Sequence, residues 1–445
     1  MDELSAFCNE LKRIVGDSVE LSIEKARGIV QSLNEFLYTR YPDIGTTDVL
    51  DAAYDYVSDF HKYWECHYKD ILNVRIDDSN CEKVADALHL VYQKTKGYAF
   101  SYVWDTCGLR PEDVCRVRLF TANQDFRGSR DFSELAEIFD DDNTIFDEEK
   151  IINDPAGFVK NLGLSDLSQN DKRQTYAKKI AEFVKEKNVS PYGLISCFNN
   201  NVYNLRNALI NCVSSGYGNK KADMFVRDMV VLNIWTNVVD FEKIDVASDV
   251  NTIKVALKTG VLKTSIPLVS SFLDIFCHQY GYIDEMNAKA WRRVWEIWNE
   301  KYPTECIQSP CLMDYFVYNV VGKQFCKESL AIFKCNTYGH IFKWHSAKNR
   351  TCQICHSERQ KGVTATCQKK VLPCCDPDGS ISILKSEYVS KLSENEKIKE
   401  CPFKNICDSN NLRNLQPPKS ISILGKTGWT SAYSDKGCGG GGLMA

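Results

Sequence analysis

The sequence predicts a mainly α protein with a helical core, an N-terminal helical subdomain and a small Cys/His metal-binding module. Apolar residues recur at helical spacing over most of the first 120 or so positions. Two closely spaced glycines separate two further helical segments near the middle of the chain. Cysteines cluster only near the C-terminal end. We therefore divide the chain into residues 1–115, 116–305, 306–415 and a glycine-rich tail, 416–445.

The composition is that of an ordinary globular protein. The chain has 445 residues, of which 44% are hydrophobic and 26% charged, so two to three domains are expected. It contains no apolar run of about 18 residues, and its N-terminus is acidic and amphipathic, which predicts neither a membrane span nor a signal peptide. We expect a cytoplasmic protein. The net charge of −4 argues against indiscriminate coating of nucleic acid, although a local basic face remains compatible with it.

The strongest local signal lies in residues 214–255. Gly216 and Gly218 predict a tight turn between a helix over residues 203–212 and a second helix that begins near Asn219. Backbone amides of such a turn, with the first N–H groups of the following helix, can hold a phosphate group. The residues predicted to contact DNA are Gly216, Tyr217, Gly218, Asn219, Lys221, Asn251 and Lys254.

Two motifs in this stretch resemble a known family. The run from Gly216 to Asp223 has the form G-x-G-x-K-x-A-D, and the run from Asp249 to Val255 follows the pattern D-x-N-x-x-K-V. Together they resemble the helix-hairpin-helix (HhH-GPD) DNA glycosylase superfamily. The resemblance implies that Asp249 is catalytic and that Lys220 marks a bifunctional enzyme. The long separation between these two residues is most similar to the archaeal branch of the 8-oxoguanine glycosylase-lyases.

The resemblance implies an enzyme that flips a modified base out of double-stranded DNA and cleaves its N-glycosidic bond. A carboxylate beside the sugar stabilises the oxocarbenium-like transition state, and a lysine amine can form a Schiff base with the sugar. We expect a monomer acting on an oxidised purine, in repair, or on a hypermodified phage base, in antiphage defence. The alternative is a non-catalytic DNA-binding protein that uses the hairpin and a zinc ribbon.

Simpler interpretations of the same two residues also exist. Asp249 can serve as the N-cap of the helix that follows it, and family catalytic aspartates also stand at a helix start, so both roles are compatible. Lys220 can be a solvated lysine in the first turn of its helix.

A polar loop upstream is a candidate for base recognition. Residues 116–130 break the helical rhythm and predict a short β-like run followed by an exposed loop. Amides and an aromatic ring suit the edge and the face of a flipped base. A structural loop whose amides bond to neighbouring helices is an equal alternative. The candidate base-recognition residues are Asn123, Gln124, Asp125, Phe126 and Arg127.

An aromatic stripe runs along the last long helix of the predicted core. Trp291, Trp295 and Trp298 recur at helical spacing. This pattern predicts packing against the core in preference to a stacking platform for bases.

The cysteine-rich end predicts two metal sites, since a reducing compartment favours metal ligation over disulfides. The first is a Zn²⁺ site with three cysteines and one histidine, in a run that resembles small zinc ribbons. The second holds either a [4Fe-4S] cluster or Zn²⁺, because two of its cysteine gaps resemble those of the cluster-binding loop in many glycosylases of this superfamily. A set without any metal remains the alternative there. The ligands of the first site are Cys335, His340, Cys352 and Cys355, and those of the second are Cys367, Cys374, Cys375, Cys401 and Cys407.

Overall fold

The protein is mainly helical, as the sequence predicts. The computed structural model describes residues 9–10, 13–14, 22–25, 27–28, 67–101, 104–126, 130–165, 167, 169–265, 280–325, 332–335, 341–343, 369–372 and 401–410. The α-helices of these residues are α1 (Asp78–Thr95), α2 (Pro111–Ala122), α3 (Phe132–Asp141), α4 (Glu148–Asn153), α5 (Pro155–Asn161), α6 (Asn170–Glu186), α7 (Val202–Asn211), α8 (Asn219–Val231), α9 (Val250–Thr259), α10 (Tyr280–Lys301), α11 (Met313–Phe316) and α12 (Lys404–Asn410).

Short elements connect these helices. The 3₁₀ turns are Tyr98–Phe100, Asn143–Phe146, Tyr192–Phe198, Phe241–Lys243 and Pro310–Leu312, and a π-helical segment, Val317–Phe325, continues α11. The strands are β1 (Arg75–Ile76), β2 (Leu262–Lys263), β3 (Ile332–Cys335), β4 (Ile341–Lys343) and β5 (Lys369–Leu372).

The two longest helices of the described residues, α1 and α10, pack against each other, although they lie far apart in sequence. An antiparallel β1–β2 ribbon, with Arg75 opposite Lys263, contacts α10. Trp291 and Trp298 of α10 are fully buried, and the Trp298 ring meets that of Phe100 edge to face at 5.3 Å. The core-packing interpretation of the aromatic stripe is confirmed. This arrangement also holds α9 against α10.

A second hydrophobic cluster joins α2 to α8. It includes Val117 and Phe120 of α2, Ile180 of α6 and Phe225 of α8, all buried. The β-like run predicted from residue 116 onward is wrong, because those residues continue α2 up to Ala122. The helix begins with a proline and two acidic residues, which favour a helix start, whereas a short buried apolar run does not distinguish helix from strand. The boundary proposed between residues 115 and 116 falls inside this helix.

The C-terminal elements form a small sheet and one docked helix. The sheet has the strand order β4-β3-β5 and is antiparallel throughout, with Ile332 of β3 opposite Leu372 of β5. Helix α12 contacts α9 and α1, with Phe403 and Ile406 buried next to them. The cysteine-bearing segment around α12 therefore packs onto the helix that Asp249 begins.

Candidate functional site

The glycine turn joins α7 to α8 over residues 212–218. Gly216 has φ +76°, and a Cβ added there would lie 2.5 Å from the Cδ2 atom of Tyr176, so only glycine fits. Gly218 has an extended backbone and no atom within 4 Å of an added Cβ. Gly218 precedes α8, and no side chain caps the first N–H groups of this helix. The turn is therefore covered by Tyr176 on the side of Gly216 and open on the side of Gly218, at the head of α8.

The side chains around the turn divide into anchors and exposed groups. Tyr217 is buried and its hydroxyl donates to the carbonyl oxygen of Leu119 at 2.6 Å, which ties the turn to α2. Its side chain is therefore not exposed for the DNA contact that the sequence predicts. Asn219 and Lys220 are exposed. The open face of the turn is thus formed by Gly218, Asn219 and Lys220.

Helices α7 and α8 are held together by a buried ion pair. The Arg206 guanidinium donates to both carboxylate oxygens of Asp223, with Nε–Oδ1 at 2.7 Å and an Nη2–Oδ2 distance of 3.2 Å. Burial raises the pKa of Asp223 to about 6, while Arg206 acts in the opposite direction. The Ala-Asp end of the glycine motif therefore has a structural role: Ala222 allows close packing and Asp223 fixes the angle between the two helices.

Asp249 is the N-cap of α9. Its Oδ1 accepts from the backbone N–H groups of Asn251 at 2.8 Å and Thr252 at 2.9 Å, and the Thr252 hydroxyl accepts from the Asp249 N–H. The capping interpretation is confirmed. Because these bonds fix Oδ1, the second oxygen, Oδ2, points toward Lys220.

The structure brings the two predicted catalytic residues together. The Lys220 Nζ lies 3.8 Å from the Asp249 Oδ2. The Lys220 side chain is 48% exposed, whereas that of Asp249 is 11% exposed. The carboxylate is thus sheltered from water on most sides and the ammonium covers its open side. Two helix heads, those of α8 and α9, position this pair directly behind the glycine turn.

Lys221 points away from this pair. Its Nζ donates to the carbonyl oxygen of Asn123 at 2.9 Å and lies 4.9 Å from the centroid of the Phe126 ring. Burial lowers the pKa of Lys221 to about 8. The sequence predicts a DNA contact for this residue, but its amine joins α8 to the loop that follows α2.

That loop is not the exposed surface that the sequence predicts. Asn123 and Gln124 are buried, and their amides donate to backbone carbonyl groups: Asn123 to Ser215 at 2.9 Å and Gln124 to Arg173 at 3.2 Å. Phe126 is buried beneath the Arg173 guanidinium. Of the candidate base-recognition residues that the structure describes, only Asp125 is exposed, and Arg127 lies outside the described residues. The two buried amides therefore serve the structure: they donate hydrogen bonds to buried backbone carbonyl groups that need a donor.

Asn251 and Lys254 also face the protein. Lys254 is buried, and its Nζ donates to the carbonyl oxygen of Gly322 at 3.0 Å and to Asn251 Oδ1 at 3.3 Å. A Cβ on Gly322 would lie 2.7 Å from that of Asn251, so the π-helical segment approaches α9 closely. π-Helical turns often occur at functional sites. Lys254 thus connects α9 to this segment and is not exposed to solvent, whereas Asn251 is half-buried and its Nδ2 donates to Asp249 Oδ2 at 3.4 Å.

Two carboxyls and one tyrosine hydroxyl interact electrostatically with the pair, and sequence reasoning missed all of them. The charges of Asp249 and Lys220 influence the carboxyls of Asp284 and Asp314 and the hydroxyl of Tyr318. Burial raises the pKa of Asp284 to about 7, that of Asp314 to about 6 and that of Tyr318 to about 12. Each is a single residue in an ordinary helical pattern, so no local signal could have identified it.

The metal sites remain predictions. Within the described residues, no group of three or more Cys, His, Asp or Glu side chains could hold a metal ion. Cys335 is the last residue of β3, Cys401 precedes α12 and Cys407 lies within α12. Cys401 and Cys407 are both half-buried. The other six predicted ligands lie outside the described residues: His340, Cys352, Cys355, Cys367, Cys374 and Cys375.

Comparison with models of known protein families gives no match, and curated protein sequences give none either. Among the residues that the structure describes, no helix combines the length and the apolar character needed to cross a membrane.

Proposed function

We propose that the protein is a DNA N-glycosylase with associated lyase activity, in which Asp249 and Lys220 act at the sugar of a flipped nucleotide. The observation that carries the proposal is the 3.8 Å approach of Lys220 Nζ to Asp249 Oδ2 at the heads of two helices. The two residues come from separate motifs, and each motif predicts a catalytic role for its residue. The resemblance of those motifs to helix-hairpin-helix glycosylases supports the same function.

Asp249 suits the stabilisation of a sugar cation. Cleavage of an N-glycosidic bond develops positive charge on the deoxyribose, and a carboxylate held by fixed hydrogen bonds stabilises that charge without reorganising. The N-cap bonds to Oδ1 fix the carboxylate, and its low exposure strengthens its field. Oδ2, the oxygen facing Lys220, is the one that would face the sugar.

Lys220 suits the nucleophilic step. Its amine, once deprotonated, forms a bond to C1′ as the glycosidic bond breaks, and the base leaves with the bonding electrons and takes up a proton. The amine loses a proton, O4′ leaves C1′ with the bonding electrons and takes up a proton as the ring opens, and the nitrogen forms a Schiff base with C1′. Loss of a proton from C2′ then expels the 3′ phosphate. With about half of its side chain exposed, Lys220 is accessible to a nucleotide approaching from the open face of the turn.

The DNA strand would be held at the open face of the glycine turn. Backbone amides at Gly218 and the head of α8 suit a phosphate, and no side chain at Gly218 obstructs its approach. We propose double-stranded DNA with one extruded modified base as the substrate and a monomer as the active form. An oxidised purine and a hypermodified phage base are the two substrate classes. Zn²⁺ and a second Zn²⁺ or [4Fe-4S] cluster would order the C-terminal module.

The test uses Asp249→Asn and Lys220→Gln. Asparagine is as good an N-cap as aspartate, so the first variant keeps the start of α9 and loses only the charge. We expect it to bind duplex DNA with unchanged affinity and to lose alkali-revealed cleavage by at least about 100-fold, in line with the loss of one such electrostatic group. Substrates are duplexes carrying oxidised or hypermodified bases.

Lys220→Gln is expected to abolish borohydride trapping on DNA. Base release is retained, because water takes the place of the amine at the sugar cation that Asp249 stabilises. Lys221→Gln is the matched control and should trap as the wild type does, because its amine is bonded to Asn123. Trapping that is lost only with Lys221→Gln would transfer the nucleophile to that residue. DNA binding without base release or trapping, on every duplex tested, would favour the non-catalytic alternative.

A further inference from the structure

The Asp249 Oδ2 atom, the oxygen proposed to face the sugar, accepts a hydrogen bond from one side chain. The donor is the Asn251 amide, whose Nδ2 lies 3.4 Å away. Among the described residues no other side chain donates to this oxygen, since the Lys220 Nζ lies 3.8 Å away, beyond hydrogen-bond distance. Oδ1, in contrast, is held by the backbone N–H groups of Asn251 and Thr252. The direction of Oδ2 therefore depends on the Asn251 side chain.

The orientation of the Asn251 amide is fixed by Lys254. A lysine ammonium only donates hydrogen bonds, so the amide atom that faces it is the oxygen. The Lys254 Nζ donates to Asn251 Oδ1 at 3.3 Å and to the Gly322 carbonyl oxygen at 3.0 Å. Because Oδ1 is turned toward Lys254, the Nδ2 group lies on the side of the Asp249 carboxylate. A flipped amide would place two acceptors against each other at Oδ2 and leave Lys254 facing a donor.

The π-helical segment supports this arrangement from behind. Lys254 is buried, and its ammonium is anchored on that segment through the Gly322 carbonyl group. A Cβ added to Gly322 would lie 2.7 Å from the Asn251 Cβ and 3.3 Å from the Asn251 carbonyl oxygen, so Asn251 packs directly on the backbone of the segment. Close packing on that side restricts rotation of the Asn251 side chain away from Asp249.

We infer that Asn251 is a positioning residue: its amide, held by Lys254, fixes Asp249 Oδ2 in the direction of the sugar cation. The inference rests on the proposed function and deepens it, since it assigns Asn251 to the reacting carboxylate instead of to a contact with DNA. When Lys220 moves to C1′, the Asn251 amide is the donor that remains at Oδ2. A carboxylate fixed before the reaction stabilises the cation without reorganising. Such hydrogen bonds are often long before the substrate binds and shorten in the reacting complex.

The experiment measures the rate of base release at saturating protein, the protein concentration that gives half of that rate, and the urea unfolding midpoint. The probes are duplexes that carry a single 8-oxoguanine or a single hypermodified base, and release is followed as alkali-revealed cleavage in a single turnover. Asn251→Leu keeps the approximate size of the side chain and removes the donor. We expect its saturating rate to fall by about 10- to 100-fold, the loss expected for a misplaced catalytic group. The half-saturating concentration and the urea midpoint should stay close to those of wild type.

Three further variants exclude a merely structural effect. Asn251→Asp keeps the shape and the acceptor for Lys254 but replaces the donor by a second acceptor. It should lose saturating rate as Asn251→Leu does, although an acidic residue in the first turn stabilises a helix. Lys254→Met leaves the Asn251 amide free to rotate and should show a smaller loss of the same rate. Lys258→Met, at a buried lysine one turn further along α9, is the matched control and should release the base at the wild-type rate.

The outcomes separate the inference from the proposed function. A wild-type saturating rate in Asn251→Leu and Asn251→Asp would overturn the inference and leave the proposed function standing. An increase confined to the half-saturating concentration would also overturn it and return Asn251 to a DNA contact. A lowered urea midpoint with an unchanged rate would reduce Asn251 to a packing residue. Absence of base release by wild type and Lys258→Met on every duplex would overturn both the inference and the proposed function.

Discussion

The glycine turn contributes to stability through Gly216 and, in the proposed function, to phosphate binding through Gly218. Replacement of Gly216 by alanine tests the contribution to stability. At Gly216, φ is +76° and an added Cβ would lie 2.5 Å from the Tyr176 ring. The left-handed backbone costs a non-glycine residue about 1–2 kcal/mol, and the crowded ring adds about 1–3 kcal/mol. We therefore expect Gly216→Ala to lower the free energy of unfolding by about 2–5 kcal/mol.

Gly218→Ala is the matched variant, two residues away in the same turn. Its backbone is extended and an added Cβ meets no atom within 4 Å, so its free energy of unfolding should change by less than about 1 kcal/mol. The new methyl group, however, would stand on the open face where a phosphate would approach. We expect duplex affinity to fall by about tenfold, the loss of roughly one phosphate contact.

The assays are urea unfolding, followed by circular dichroism and tryptophan fluorescence, and fluorescence anisotropy with a labelled duplex that contains an abasic-site analogue. Gly216→Ala should be the unstable variant and Gly218→Ala the weakly binding one. Equal destabilisation by both changes would refute the described turn geometry. Full DNA affinity in Gly218→Ala would refute the assignment of the open face to phosphate binding.

Two other predictions follow from the packing around the site. Arg206→Ala leaves Asp223 buried without its partner and should lower the free energy of unfolding by about 3–5 kcal/mol, measured by urea titration. An unchanged unfolding midpoint would contradict the role of the ion pair in joining α7 to α8. Gly322→Ala should displace the π-helical segment from Asn251, lower the free energy of unfolding by about 1–3 kcal/mol and slow base release. Gly281→Ala is the control: an added Cβ there meets open space, so neither urea unfolding nor base release should change.

Local sequence patterns predicted the parts of the site that depend on neighbouring residues. The turn glycines, the helix that follows them and the N-cap role of Asp249 each depend on contacts within a few positions. The proximity of Lys220 and Asp249 was predictable only through the resemblance of two motifs, because their contact requires the packing of α8 near α9. Residue types alone carry no information about that packing.

The wrong predictions of exposed polar residues share one physical cause: polar side chains also form hydrogen bonds with backbone groups in the interior of a protein. Asn123 and Gln124 look like a recognition surface in sequence, yet their amides bond to carbonyl groups of Ser215 and Arg173, remote in the chain. Lys254 similarly bonds to Gly322. Asp284 was missed for the converse reason, since a lone aspartate in a helix gives no indication that Ser248 lies opposite it.

The most direct test of the central claim is to locate the covalent adduct. The wild-type protein is incubated with abasic duplex DNA, reduced with borohydride, digested, and the modified peptide is sequenced by mass spectrometry. The account predicts a single adduct at Lys220 that is absent from Lys220→Gln and present in Lys221→Gln. An adduct at another lysine, or none on any duplex, would contradict it.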